Sequence, residues 1–184
     1  MKDNKKLFTI LLILALVVGG ATVLYNQLKD RFHVDQLVDQ NEDIEEKEKA
    51  PDFIVYDLEG NEVHLTDYFG KPIVLNFWAS WCGPCQMEMP DFEKMYLQMG
   101  EEIHFLMINV TDGGRETLKS ASDFIKEKGY TFTVFYDLKL DASNTYGIQS
   151  FPTTLFIDKD GYPVAYAGGA IDETTLKRGI DMIK

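Results

Sequence analysis

Cysteine is almost missing from this chain: among 184 residues there are two, Cys82 and Cys85, set two apart in Trp81-Cys82-Gly83-Pro84-Cys85. Histidine is nearly as scarce, and His33, His64 and His104 stand far from one another. A structural zinc site needs four ligands, generally a second Cys-x-x-Cys or a paired histidine motif, so this ligand count argues against zinc and no metal is expected. A c-type haem attachment requires His directly after the second cysteine, where this chain has Gln86. No cysteine lies near the N-terminal apolar segment, which rules out a lipidated N-terminus. Excess positive charge is lacking as well: the net charge is −12, residues 1–25 carry +2, and the remainder therefore carries −14. Nucleic acid is not an expected partner of such a surface. Repeats and low-complexity tracts are also absent. A purely structural bridge between Cys82 and Cys85 would close a loop too short to restrain the unfolded chain much, which leaves thiol chemistry as the reading of the pair.

The flanking residues say how that chemistry would work. Residues 72–78 (Pro-Ile-Val-Leu-Asn-Phe-Trp) form a mostly apolar run of strand length, as in a buried strand of a parallel or mixed sheet. After Ala79-Ser80-Trp81 turns the chain, the spacing of Phe92, Met95, Tyr96 and Met99 predicts a helix from Gly83 to about Met99. Cys82 then sits at a helix N-terminus, where unpaired N–H groups and the positive end of the macrodipole favour an anion and lower the thiol pKa. Pro84 falls in the first turn, where a missing N–H costs nothing, and keeps the second sulfur close enough to resolve a mixed disulfide.

Four segments are expected. Residues 1–6 hold Lys2, Lys5 and Lys6, and residues 7–25 run nineteen positions without a charge. At 1.5 Å per residue that run nearly matches a bilayer core of ~30 Å. With the lysines in front, the positive-inside rule places the N-terminus in the cytoplasm and the rest outside, as a single-pass signal anchor of a bacterial membrane. The rival is a cleaved signal peptide using Gly19-Gly20-Ala21. Residues 26–50, ending in "DQNEDIEEKEKA", read as an acidic stalk with little to bury, and His33 there is solvent-facing with no role. Residues 51–184 are long enough for one domain with its own core, and a hydrophobic content of 45% fits a globular chain.

Within that domain, "DFIVYDL", a Glu59-Gly60-Asn61 turn and "EVHL" predict a hairpin. Thr66 is expected to cap a short helical turn to Phe69. Further strands are expected at 103–110, 153–158 and 162–167, and helices at 115–128, 139–146 and 172–183.

"VLNFWASWCGPC" resembles the active-site strand and loop of the thioredoxin superfamily. Three further matches agree. Pro90 stands where thioredoxins kink the active-site helix, and Phe151-Pro152-Thr153 resembles the segment carrying the family's cis-proline. Tyr166-Ala167-Gly168-Gly169-Ala170 resembles the glycine loop that completes its substrate groove. Over residues 50–184 the chain is similar to the membrane-attached TlpA/ResA type of extracytoplasmic thiol-disulfide oxidoreductase. The resemblance implies an α/β thioredoxin-like fold: a central mixed sheet flanked by helices, with an N-terminal β-hairpin and an inserted helix and strand between Thr111 and Asp137. It also implies catalysis by Cys82 and Cys85 without metal or organic cofactor, and a groove of Trp81, Gly83, Pro84, Phe151, Pro152 and Gly169. The implied partners are protein disulfide clients, such as apocytochrome c or a methionine sulfoxide reductase, and an integral-membrane thiol electron donor. A monomer is expected. Gly-Pro between the cysteines matches the thioredoxin dipeptide, whose parent potential of about −270 mV is reducing, against about −120 mV for strong oxidants. The activity is therefore read as a disulfide reductase, with an oxidant or isomerase as the alternative and a non-catalytic peptide-binding module as the alternative of another class. A peroxiredoxin pattern would need Thr at 79 and Pro at 75, where this chain has Ala79 and Leu75.

The chain departs from the thioredoxin pattern in two places. Asn76 replaces the usual buried Asp of the active-site strand and Met107 the usual Lys of its neighbour, so the proton acceptor for Cys85 is missing. Asn76 reads as a hydrogen-bonded core amide or a tuning group. Glu88, three residues after Cys85, is a candidate to tune that thiol, although the plainer expectation is a solvent-facing helix residue. Met87, Met89, Met95 and Met99 read as core filler and groove lining.

Overall fold

The structure is a computed structural model that describes residues 19–20, 38–39 and 48–184. The chain divides into two units, residues 1–35 and 36–184. In the first only Gly19 and Gly20, both helical, are described. The proposed cytoplasmic N-terminus, the 7–25 anchor apart from those two glycines, His33 and most of the 26–50 stalk lie outside the described residues. Among the described residues no helix is long and apolar enough to cross a membrane.

Among the described residues, eight strands form one mixed sheet. In chain order they are β1 (Val38–Asp39), β2 (Ile54–Tyr56), β3 (Glu62–His64), β4 (Ile73–Trp78), β5 (His104–Asn109), β6 (Thr133–Tyr136), β7 (Thr153–Ile157) and β8 (Pro163–Gly168). Their spatial order is β1-β8-β7-β4-β5-β6-β2-β3. β4 is central, parallel to β5 and antiparallel to β7, and all six of its residues are buried. Successive side chains on a strand point to opposite faces, so Val74, Asn76 and Trp78 look one way and Ile73, Leu75 and Phe77 the other. The first face carries helices α1 (Gly83–Met99), α2 (Leu118–Lys128) and α4 (Glu173–Ile183) over a core that includes Trp78, Cys85, Met89, Phe92, Phe105 and Phe156. The second face is closed by a 3-10 turn (Leu65–Tyr68) and the short α3 (Asp141–Thr145), over a core that includes Phe53, Leu65, Leu75, Phe77 and Ile108. This is the thioredoxin-like α/β architecture that the sequence implied, including the added α2 and β6 between Thr111 and Asp137.

Element ends differ from expectation where side chains, not periodicity, set them. α2 starts at Leu118, later than residue 115, because Thr117 caps it by accepting the Ser120 N–H at 3.1 Å while residues 112–116 form a separate turn. The 3-10 turn is capped by His64 and not by Thr66: Asp67 accepts the His64 N–H (3.1 Å), and the Thr66 N–H goes to Asp52 Oδ1 (3.1 Å). Val38–Asp39, inside the stretch read as a solvated stalk, pair with Tyr166 and Ala165 of β8. The outer edge of β8 otherwise offers unpaired N–H and C=O groups, which an extended segment satisfies whatever its hydrophobicity. Ala50 is also buried and donates its N–H to Gly161 O at 2.8 Å.

α4 lies so close to β7 that a Cβ at Gly179 would stand 2.3 Å from Phe156 Cζ. Gly179→Ala is expected to destabilise the domain by about 1–3 kcal/mol through overpacking, read as a shifted urea midpoint with unchanged m-value.

Candidate active site

β4 ends at Trp78, Ala79–Trp81 turn the chain, and Cys82 becomes the N-cap of α1 with an extended backbone (φ −80, ψ 108). Its Sγ accepts the Cys85 N–H at 3.2 Å, as a capping oxygen would. Gly83 and Pro84 fill the first helical positions, where an absent N–H leaves nothing unpaired. Cys82 and Cys85 are joined as a disulfide with Cα atoms 5.3 Å apart. Cys82 is 4% exposed and Cys85 0%, so Cys82 carries the sulfur that an incoming group can reach.

β7 runs antiparallel to β4 with Thr153 opposite Phe77, which brings the segment before Thr153 to the same end of the sheet. The Phe151–Pro152 peptide bond is cis, and the Pro152 carbonyl accepts the Gly169 N–H at 2.8 Å. Gly169 has φ +87, a conformation that a Cβ disfavours, so this join between the two loops suits glycine. Trp81, 37% exposed, meets Phe151 edge-on with ring centroids 6.0 Å apart. Trp81, Phe151, Pro152 and Gly169 therefore line one rim, with Gly83 and Pro84 exposed at the start of α1 beside it.

Glu88 is not solvent-facing. It is 2% exposed, on the α1 face turned to the sheet, where Oε1 accepts from Asn76 Nδ2 (2.8 Å) and Oε2 from the Ile171 N–H (3.0 Å). Burial drives its pKa up to about 7, with Asp91 adding to the rise and the Ile171 and Asn76 hydrogen bonds opposing it. Asn76 is the core amide expected, and it also donates to Thr154 Oγ1 at 2.9 Å. Among the methionines, Met89 and Met95 are core and Met99 is half-buried, whereas Met87 is 71% exposed on the outer side of α1.

Sequence reasoning missed Glu116. It is 1% exposed, and its Oε2 accepts both the Ser80 N–H (3.1 Å) and the Ser80 hydroxyl (2.9 Å), while Oε1 accepts from Asn109 Nδ2 (3.2 Å). The available signal was topological: β4 and β5 are parallel with Trp78 opposite Asn109, so the residues that follow each strand emerge side by side. A cavity of about 580 Å³ lined by Tyr146, Ile148, Thr153, Leu155 and Tyr166 lies on the other sheet face, away from Cys85. Among the described residues no three His, Cys, Asp or Glu converge as metal ligands.

The Glu88 carboxyl has a folded pKa above its ordinary 4.5, so the native state binds that proton more tightly than the unfolded chain. Its contribution to stability is complete below pH 4.5 and is lost as pH rises through about 7. Comparing urea unfolding of wild type and Glu88→Gln across that window should show the wild type losing on the order of 3 kcal/mol relative to the variant.

The AhpC/TSA family profile matches residues 47–165. Thiol-disulfide oxidoreductase ResA of Geobacillus thermodenitrificans is 33% identical over 187 residues, covering 100% of this chain and 99% of that protein. The protein of the same name from Bacillus anthracis is 35% identical over 164 residues, covering 88% and 86%. Among solved structures, the exposed lipoprotein thioredoxin Etrx1 of Streptococcus pneumoniae shares 30% identity and a TM-score of 0.60 over 71% of this chain and 98% of that one. A DsbF homologue from Corynebacterium diphtheriae shares 28% identity and a TM-score of 0.64 over 81% and 94%.

Proposed function

The chain belongs to the AhpC/TSA family and, within it, to the ResA-like thiol-disulfide oxidoreductases, and from that membership we propose that it reduces protein disulfides on the outer side of a bacterial membrane. The observation that carries this reading is the Cys82 sulfur capping α1, bonded to a neighbour with no exposure of its own. In the reduced state the Cys82 thiolate, stabilised by the helix terminus, attacks a client disulfide; a mixed disulfide forms and one client sulfur leaves as thiolate. The Cys85 thiolate then attacks Cys82 Sγ, the Cys82–Cys85 bond forms, and the second client sulfur departs. The client has gained two electrons and the enzyme has lost them, with the disulfide pair serving in place of any metal or organic cofactor.

Cys85 must lose its proton inside a core where the usual aspartate is Asn76. Glu88, one turn along the same helix and with a pKa of about 7, is the carboxylate that takes it, held in orientation by Asn76. Trp81, Gly83, Pro84, Phe151, Pro152 and Gly169 receive the client chain. The nineteen uncharged residues 7–25 anchor the enzyme, the residues between them and the Val38–Asp39 strand space it from the bilayer, and an integral-membrane thiol carrier returns it to the dithiol. The Gly-Pro dipeptide favours the reducing direction. Clients of the apocytochrome c or methionine sulfoxide reductase kind, and action as a monomer, complete the reading.

Turnover of a disulfide-bonded protein such as insulin with a dithiol donor tests it. Cys82→Ala should abolish activity and Cys85→Ser should accumulate a mixed disulfide that excess dithiol releases. A wild type silent toward every disulfide would point to a peptide-binding module instead. Glu88→Gln should slow resolution of the mixed disulfide by on the order of tenfold or more while leaving Cys82 alkylation unchanged. Equal resolution rates in the two proteins would remove Glu88 from the mechanism.

A further inference from the structure

The turn after β5 presents one cation over Trp81, the residue before Cys82. Asp112 Oδ1 accepts the N–H groups of Gly114 (2.8 Å) and Glu116 (2.9 Å), and Gly113, at φ +73, donates its N–H to the Glu116 carbonyl at 2.9 Å. The Glu116 carboxylate then reaches inward to Ser80 and Asn109, so the turn is fixed to the residues just before Cys82. Arg115, between these anchors, points the other way. It is exposed, and its guanidinium lies over the Trp81 ring at 3.5 Å from the centroid. Trp81 in turn meets Phe151, the residue before the cis-proline, so the cation stands over the residue that precedes Cys82 and beside the loop that carries Pro152.

A guanidinium stacked by its face on an indole keeps its N–H donors in the plane of the group, where they remain open to a carboxylate. The surroundings make this charge distinctive. Beyond residue 25 the chain carries −14, and Arg115 is one of only three arginines in the sequence. An acidic chain segment is repelled by such a surface in general and attracted at this rim in particular. Glu116, the nearest anion in sequence, has its carboxylate turned inward to Ser80 and Asn109, and Asp112, three residues before Arg115, holds one of its oxygens against its own turn.

We propose that Arg115 is a specificity-determining residue, selecting client disulfides in which an acidic residue flanks the cysteine that Cys82 attacks. The inference rests on the oxidoreductase reading above and adds the substrate class. It is tested with the full chain and three synthetic peptides, each with one internal disulfide, identical except for Glu, Gln or Lys beside the attacked cysteine. An exposed charge contact of ordinary strength gives a Glu-over-Lys ratio in kcat/KM of about five, expressed in KM. That ratio should fall toward one at 1 M salt. Arg115→Gln should level the series and Arg115→Glu should invert it. The readout is a ratio between peptides within one protein, so a variant that is partly unfolded does not distort it. Indifference of the wild type to the flanking residue, or the same preference in Arg115→Gln, overturns the proposal. Failure to reduce any of the three peptides overturns the oxidoreductase reading beneath it.

Discussion

The register of three strands creates the site. Parallel pairing of β4 with β5 sets Trp78 beside Asn109, and antiparallel pairing of β4 with β7 sets Phe77 beside Thr153. Three segments distant in sequence, Ala79–Cys85, Val110–Thr117 and Phe151–Pro152, therefore leave the sheet at one edge within reach of each other. In open α/β sheets this carboxyl end of the parallel strands is the usual place for chemistry, because loops there can vary without disturbing the core. Slipping β4 by one residue would exchange its two faces, sending Asn76 away from Glu88 and Trp78 into the opposite core. The hydrophobic composition of the two faces makes such a slip costly, since Ile73, Leu75 and Phe77 fill one core and Val74 and Trp78 the other.

Two carboxylates in this region are buried, and each is answered differently. Glu116 is surrounded by donors: a backbone N–H, a hydroxyl and an amide face its two oxygens. Glu88 is answered by one backbone N–H and one amide, which do not offset its burial, and its proton affinity rises, with the like charge of Asp91 adding to the rise. Glu116 ties the turn after β5 to Ser80 and Asn109, and Glu88 is a group able to gain or lose a proton near neutrality. β4 also carries two buried polar atoms without hydrogen-bond partners among the described residues, Asn76 Oδ1 and Trp78 Nε1, both directed to the face that holds Cys85. Unsatisfied groups of this kind cost about 1–3 kcal/mol each, and sites of chemistry are where proteins tolerate them.

Much of this was legible in the residue order. The apolar run 72–78, the glycine and proline after Cys82, and the Phe92–Met99 stripe gave the strand, the turn and the helix by periodicity and backbone preference. Pro152 and Gly169 were found by resemblance to a known pattern, and their contact through the Pro152 carbonyl depends on the pairing of β7 with β8, which no local pattern encodes. Glu88 and Met87 were misjudged for one reason: a weak apolar stripe leaves the rotation of the first helical turns undetermined, and the path of β4 beneath them decides which side chain faces inward. Thr66 looked like a cap because Thr is a good one, yet Asp52 and Asp67 competed for the same backbone groups. Arg115 and Glu116 were invisible because nothing local distinguishes an anchor from a solvated loop residue.

The atom that caps the start of the active-site helix is also the atom that changes oxidation state. In the disulfide form Cys82 Sγ receives the Cys85 N–H as a neutral acceptor; as a thiolate it would bring a full negative charge to the same place. Redox state and conformational stability thus become two sides of one thermodynamic square, in which a mutation that weakens the first turn for the charged cap must alter electron affinity by the same amount. Heating the protein in its two forms would weigh, without any client present, how strongly the fold prefers to hold electrons.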